Sequence, residues 1–342
     1  MAFADVAIPE WIQRALRKAV SDQALPHAYL FVGPAGVGKR ATALTLAKAL
    51  NCLVQHGDAC EQCAVCFRID RGLHPDIHLV EPQGQAIKID QIRHLQDLLA
   101  LGAYEGRMKV AILDDAGKLT VEAANALLKI LEEPPARTLF VMVCHNIGGL
   151  PATVVSRSQV LRFGVVPHDQ IVALLRQRRR SQADAERAAS FSGGRPGKAL
   201  ALELPTALEM RAHALRLLTQ AHGSDAAALL ASAEQWARRK SDHDFLFELL
   251  LSLARDLAVI CAGSDDAMLM HADLKSALSP LATPVPLATV WEVFDIIHTA
   301  QQAIAHNANP QLAFEVMLFN IGDAYERARR RGRQRNQHSC RA

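Results

Sequence analysis

Aromatic side chains are scarce in this 342-residue chain: 3 Trp, 3 Tyr and 11 Phe make up 5% of it. Packing that rests mainly on small and aliphatic side chains is thereby favoured. Long apolar runs are also missing. No stretch reaches the ~20 residues a helix needs to cross a bilayer, so no membrane partner is expected. The opening residues, MAFADVAIPEWIQRAL, lack the basic-then-apolar order of a secretion signal, and a cytoplasmic location is expected. No excess of one charge exists either. Lys and Arg number 38 against 35 Asp and Glu, so overall electrostatics single out no partner. No Ser-His-Asp or Cys-His arrangement for nucleophilic catalysis can be argued from the pattern.

What is present is ordinary for a globular protein: 50% hydrophobic and 21% charged residues. At roughly 100–200 residues per domain, two or three domains are expected. Short apolar runs at 28–32, 77–81, 110–113, 139–144 and 160–163 read as strands. Helical periodicity lies between them at 10–20, 40–53, 89–100 and 121–133, with a short helical or irregular segment at 151–157. Thr120 is placed to cap the 121–133 helix and Pro134-Pro135 to stop it. Alternation of this kind predicts an α/β domain around a parallel sheet. After Val166-Pro167 only helical periodicity remains, starting with 168–178, 182–192 and 198–204. The Pro-rich stretch 275–287 reads as a loop between helices.

Four constellations carry chemistry. The first is GPAGVGKRAT, Gly33–Thr42, between a strand and a helix. Gly33, Gly36 and Gly38 with Lys39 have the form of a phosphate-binding loop, whose backbone N–H groups and helix N-terminus cradle an anion. Arg40 stands where that loop wants a Ser or Thr hydroxyl for Mg²⁺. A guanidinium has no lone pair to offer a metal and carries like charge. Thr42 points to a different side of the helix. Phosphate binding is compatible with this loop, the usual Mg²⁺ geometry is not, and ATP or ADP binding stays open.

The second constellation is VAILDDAGKLT, an apolar strand ending in Asp114-Asp115. Acids in this place coordinate Mg²⁺ and activate water in nucleotide-hydrolysing folds. Asp115 occupies the position of a Glu base and is one methylene short. The third is C-x7-C-x2-C-x2-C: Cys52, Cys60, Cys63 and Cys66. Four thiolates at this spacing suit a closed, tetrahedral structural Zn²⁺ site, and the small polar insert has little apolar mass to fold without one. His56 and His74 are nearby substitutes that four cysteines make unnecessary. The fourth is VVSRS, with Arg157 at the edge of the α/β region. The last stretch, from Glu326, holds seven Arg and reads either as a solvated, disordered tail or as a nucleic-acid contact.

Taken together, LPHAYLFVGPAGVGKR, the four-cysteine insert, HPD at 74–76, LTVEAANALLKILEEPP and LPATVVSRS resemble the clamp-loader subunits of bacterial DNA polymerase III. Asn125–Pro135, NALLKILEEPP, is the most specific segment. Within that family the likeness is to the delta prime type rather than the gamma/tau motor. The resemblance implies an AAA+ α/β domain at 1–165 with a four-cysteine zinc module at 52–66. It further implies a helical lid at 166–205, an all-α collar at 206–330 and a basic, disordered tail at 331–342. It implies gamma/tau and delta subunits, the sliding clamp and primer-template DNA as partners. The Ser-Arg-Cys motif of the family stands here as Ser156-Arg157-Ser158, with the arginine kept to reach a neighbour's ATP.

Arg40, Asp115, Gly197 in place of the lid's phosphate-sensing arginine, and His145-Asn146 all depart from the motor pattern. Arg195 lies two positions before Gly197. A stator without ATPase activity of its own, inside the polymerase holoenzyme, is therefore expected. An active ATPase motor and a DNA-binding module working through the Arg-rich tail are the alternatives.

Overall fold

Buried β-strands read as unbroken apolar runs, and AYLFV, KVAIL and TLFVMVC are such runs. In the structure, a computed structural model describing residues 2–54, 57–223, 225–283 and 285–339, every residue of these three strands is buried. In chain order the first part contains α1 (Glu10–Ser21), β1 (Ala28–Val32), α2 (Lys39–Asn51), α3 (Ala64–Asp70), β2 (Ile77–Val80), α4 (Ile89–Ala100) and β3 (Lys109–Leu113). There follow α5 (Val121–Glu132), β4 (Thr138–Cys144), α6 (Ala152–Ser156), β5 (Gln159–Arg162), α7 (His168–Gln177), α8 (Gln182–Ser192) and α9 (Pro196–Ala201). The second part contains α10 (Leu204–Gly223), α11 (Ala226–Ala237), α12 (His243–Cys261), α13 (Lys275–Ala282), α14 (Leu287–Ala305) and α15 (Pro310–Ser339).

The five strands form one sheet in the order β2-β3-β4-β1-β5, with every pair parallel. Parallel strands need a crossover between them, and the intervening helices supply it. Side-chain alternation sends Phe31, Val110, Ile112, Val141 and Val143 to one face, against α1 and α2. Leu30, Ala111, Leu113, Phe140 and Met142 face the other way, against α4 and α5. Thr120 caps α5 as its sequence position predicts, its side chain accepting from the Ala123 N–H. Because all strands run the same way, their carboxyl ends share one edge, where ligands bind in open parallel sheets.

The chain divides into two compact units, Met1–Leu202 and Glu203–Ala342. Helices α7 to α9 thus lie in the same unit as the sheet. The second unit is helical: α15 packs against α10, α11 and α14, and α12 packs against α14. Phe247 and Phe314 stack within it at 5.3 Å, and Trp236 is 2% exposed.

Two expectations are corrected. Residues 275–282 are the helix α13, not loop, although Pro280 lies inside it. Proline costs that helix a hydrogen bond, which burial of Leu278, Leu281 and Ala282 offsets. The basic segment is also helical as far as Ser339, so 331–339 continue α15. Arginine is a good helix former, and Glu326 pairs with Arg330 one turn on at 3.3 Å. Residues 340–342 lie outside the described residues.

Candidate functional site

At the carboxyl edge of the sheet is a cavity of about 820 Å³. Gly36, Gly38 and Lys39 line it from the loop after β1, Asp114 and Asp115 from the end of β3, and Gly197 from α9. Residues far apart in sequence thus share this cavity, while Gly33, Arg157 and the four cysteines do not line it. Glu81, Lys118 and His145 also line the cavity.

The loop keeps the frame of an anion cradle. Gly38 is the N-cap of α2 and has φ of 96°, a left-handed conformation that favours glycine. Lys39 follows and is 5% exposed. Its Nζ donates to the Gly33 and Pro34 carbonyls, at 2.6 Å each, so the ammonium is folded back onto its own loop. Burial pulls the Lys39 pKa below the ordinary lysine value, opposed by Cys144 and by the carboxylates of Asp114 and Asp115. The Thr42 hydroxyl donates to the Gly38 carbonyl at 2.8 Å, and Thr42 is fully buried. It offers no oxygen to a metal in the cavity.

Arg40 projects from the first turn of α2 to the acids. Its Nη1 donates to a carboxylate oxygen of Asp114 at 3.1 Å and also bonds Glu81. A divalent cation coordinated by Asp114 would meet this guanidinium, so the residues present do not fit Mg²⁺. Asp115 is engaged as well. Lys118 Nζ stands 2.7 Å from its carboxylate and His145 Nε2 3.7 Å away. Its φ of 55° is left-handed, which Asp tolerates better than most residues. A carboxylate held by a lysine is a poor base for water.

On the α9 side, Gly197 N–H donates to the Gly36 carbonyl at 2.8 Å. A Cβ at Gly197 would lie 3.1 Å from that oxygen, a tight contact that the loop would have to yield to accommodate. Arg195 is not among the residues lining the cavity, and its Nε donates to Ser192 O within its own turn at 3.1 Å.

Arg157 lies away from the cavity, at the end of α6. Its Nη2 is 2.8 Å from Glu132 and Nη1 donates to Thr153 O at 3.2 Å. Its side chain is 38% exposed.

The four cysteines form a separate cluster where α2 ends and α3 begins. Their sulfurs all lie within 4.8 Å of one another, a set that could hold a metal ion. The Cys63 N–H donates to Cys60 Sγ at 3.3 Å and the Cys66 N–H to Cys63 Sγ at 3.4 Å, bonds that favour thiolates. Burial pushes the Cys63 thiol up, but backbone donors from Cys66 and Leu53 and the neighbouring thiols outweigh it, bringing its pKa to about 6. Burial raises the Cys66 thiol. Among the described residues the apolar cluster here consists of the cysteines and Ala59, so the donor set fits a structural metal. His74 takes no part: its Nδ1 accepts from the Asp76 N–H at 3.2 Å. His56 lies outside the described residues.

Glu81 and Lys118 are site residues that the sequence pattern alone does not single out. Each carries a signal nonetheless: Glu81 follows the last residue of β2, and Lys118 stands three residues after Asp115.

Two family models match the chain. One, described as DNA polymerase III, delta subunit, matches residues 9–167, and another, DNA polymerase III subunits gamma and tau domain III, matches residues 208–332. DNA polymerase III subunit delta' of Bacillus subtilis is 32% identical over 91% of this chain and 95% of its own length. DNA polymerase III subunit delta' of Pseudomonas aeruginosa is 41% identical over 38% of this chain and 41% of its own. DNA polymerase III subunit tau of Bacillus subtilis is 27% identical over 93% of this chain but only 61% of that longer protein. With its parallel sheet, its loop at the strand ends and a delta' relative aligned across nearly the whole of both chains, the chain belongs to the delta prime family of bacterial DNA polymerase III clamp-loader subunits.

Proposed function

We propose that this chain is a stator: a clamp-loader subunit that does not hydrolyse ATP itself and lends an arginine to a neighbour that does. Its partners would be gamma/tau and delta subunits, the sliding clamp and primer-template DNA, in the cytoplasm. The observation that carries this reading is Arg40, whose guanidinium lies against Asp114 and Glu81 where a motor would keep a metal. The hold of Lys118 on Asp115 supports it further. Arg157 would reach the ATP of the adjacent subunit and stabilise charge developing on the transferred phosphoryl group. Its present bond to Glu132 is between half-exposed groups and is worth roughly 0–1 kcal/mol, so exchanging it for a phosphate is not costly. Cys52, Cys60, Cys63 and Cys66 would hold Zn²⁺ as a structural clip for the insert.

The test is ATP turnover by the purified chain alone, with and without primed DNA. Background rates are expected in both conditions. Turnover above background by this chain alone would overturn the stator reading and favour the motor.

A further inference from the structure

We infer that Lys48 is the positioning residue of the four-cysteine cluster: its buried ammonium draws Glu61 and Asp70 together and so sets the thiols at the spacing a metal needs. This rests on the reading of the cluster as a metal site and goes beyond it by naming the residue that shapes that site. Lys48 lies on α2, one turn before Cys52, and its side chain is 1% exposed. Its Nζ donates to a carboxylate oxygen of Glu61 at 2.7 Å and to one of Asp70 at 2.8 Å. Glu61 follows Cys60, and Asp70 is the last residue of α3. Cys63, the N-cap of α3, and Cys66 lie between these two anchors. A single nitrogen thus ties the helix that leads into Cys52 to both ends of the segment around the other three cysteines.

Two features single out placement as the role. A buried ammonium is costly unless it is paired, and Leu or Met at this point of α2 would be buried without that cost. Burial would lower the Lys48 pKa, but the bonds to Asp70 and Glu61 outweigh it and hold it above the ordinary lysine value, so the ammonium is kept. One ammonium against two carboxylates leaves no positive charge over to favour thiolates, so its effect on them is geometric. Glu61 supplies the second feature. Its φ of 62° is left-handed, a conformation that favours glycine and that other residues hold only where the surroundings impose it. A glycine would relieve the backbone at this turn but could not bond Lys48.

The experiment is competition for Zn²⁺ between the purified full chain and a chromophoric chelator of known affinity. Loss of an outer-shell partner weakens metal sites, so Lys48→Met is expected to bind Zn²⁺ about 10- to 100-fold more weakly than wild type. Glu61→Gln keeps an oxygen for the ammonium and should stay close to wild type. Glu61→Gly relaxes the turn but loses the anchor, and about fivefold weaker binding is expected. Co²⁺ in place of Zn²⁺ gives a signature that global destabilisation does not move. The visible absorption of the Co²⁺-saturated site should change in folded Lys48→Met and match wild type in Glu61→Gln. Thermal melts check folding. Undiminished Zn²⁺ affinity or an unaltered Co²⁺ spectrum in folded Lys48→Met overturns the inference and leaves the metal reading standing. If Lys48→Met does not fold, undiminished affinity in Glu61→Gly overturns it equally. A wild type that takes up neither metal overturns the metal reading, and this inference with it.

Discussion

The Arg40 guanidinium stands 3.1 Å from the carboxylate of Asp114, joining the start of α2 to the end of β3 across the cavity. A single substitution at Arg40 therefore does not rebuild a motor. Arg40→Thr would release both acids and supply a hydroxyl. Asp115 would still be held by Lys118 at 2.7 Å and would still be a methylene shorter than Glu. A misplacement of about 1 Å costs on the order of 10²-fold in rate. Phosphate release by the purified Arg40→Thr chain should stay at background. A measurable rate would show that Asp115 can serve as a base.

Gly197 limits the pocket from the other side. A Cβ there would stand 3.1 Å from Gly36 O and 3.3 Å from its Cα, and both are backbone atoms that cannot rotate away. The added methyl gains some helix propensity in α9, but overpacking costs roughly 1–3 kcal/mol. Gly197→Ala should destabilise the chain by about 1 kcal/mol, read by denaturant unfolding. Gly197→Arg, the change toward a motor's lid, should cost more. A neutral or stabilising Gly197→Ala would mean that the loop yields to the lid helix.

The strands and the loop are legible in the sequence because their signals are local. An apolar run such as AYLFV followed by GPAGVGK carries its own context, and the alternation of strands and helices does the rest. The partners of Arg40 are not legible in this way. Glu81 and Asp114 are 41 and 74 residues away, and only the parallel sheet brings their strand ends to one edge. Helix α13 escapes sequence reasoning for a related reason. Pro280 is a local breaker signal, while the burial of Leu278 and Leu281 that overrides it is tertiary.

The cysteine cluster makes a prediction about metal. Purified chain should carry one equivalent of Zn²⁺, and Cys66→Ser, removing a buried ligand, should lose most of it. The insert should then become sensitive to limited proteolysis between residues 52 and 66. The sheet has its own core and should remain resistant. Elemental analysis beside the digestion pattern checks both points. A metal-free but protease-resistant wild type would contradict them.

The second unit has an acid-sensitive point. His271 is 1% exposed, its Nε2 is 3.0 Å from Ser252 Oγ, and its backbone N–H donates to Asp256 at 2.8 Å. Burial lowers its pKa to about 4, with Asp256 opposing and Arg211 assisting. Below the ordinary value of 6.5 the unfolded chain takes up a proton that the folded one refuses. Stability is therefore complete above about pH 6.5 and is lost as the pH falls toward 4, by up to about 3 kcal/mol from this group. Urea unfolding at pH 7 and pH 5 measures the loss. His271→Gln should flatten the dependence in that window while lowering stability at pH 7.

Arg157 offers a clean separation of function from folding. Its partner Glu132 is 52% exposed, and such a pair contributes under about 1 kcal/mol. Arg157→Ala should leave the melting temperature of the isolated chain nearly unchanged and should not prevent assembly with gamma/tau and delta subunits. If the guanidinium acts on a neighbour's ATP, removing it deprives a transition state of a charge, and arginines in that role are worth about 10³–10⁵ in rate at the site they serve. Other sites in the complex would keep turning over, so the steady-state ATPase should fall by less than that. Arg157→Lys distinguishes a forked contact from a simple positive charge: a lysine cannot make the bidentate bonds, and little rescue is expected. Glu132→Gln is the opposing control. It frees Arg157 without removing it, and ATPase in the complex should then be equal to wild type or higher.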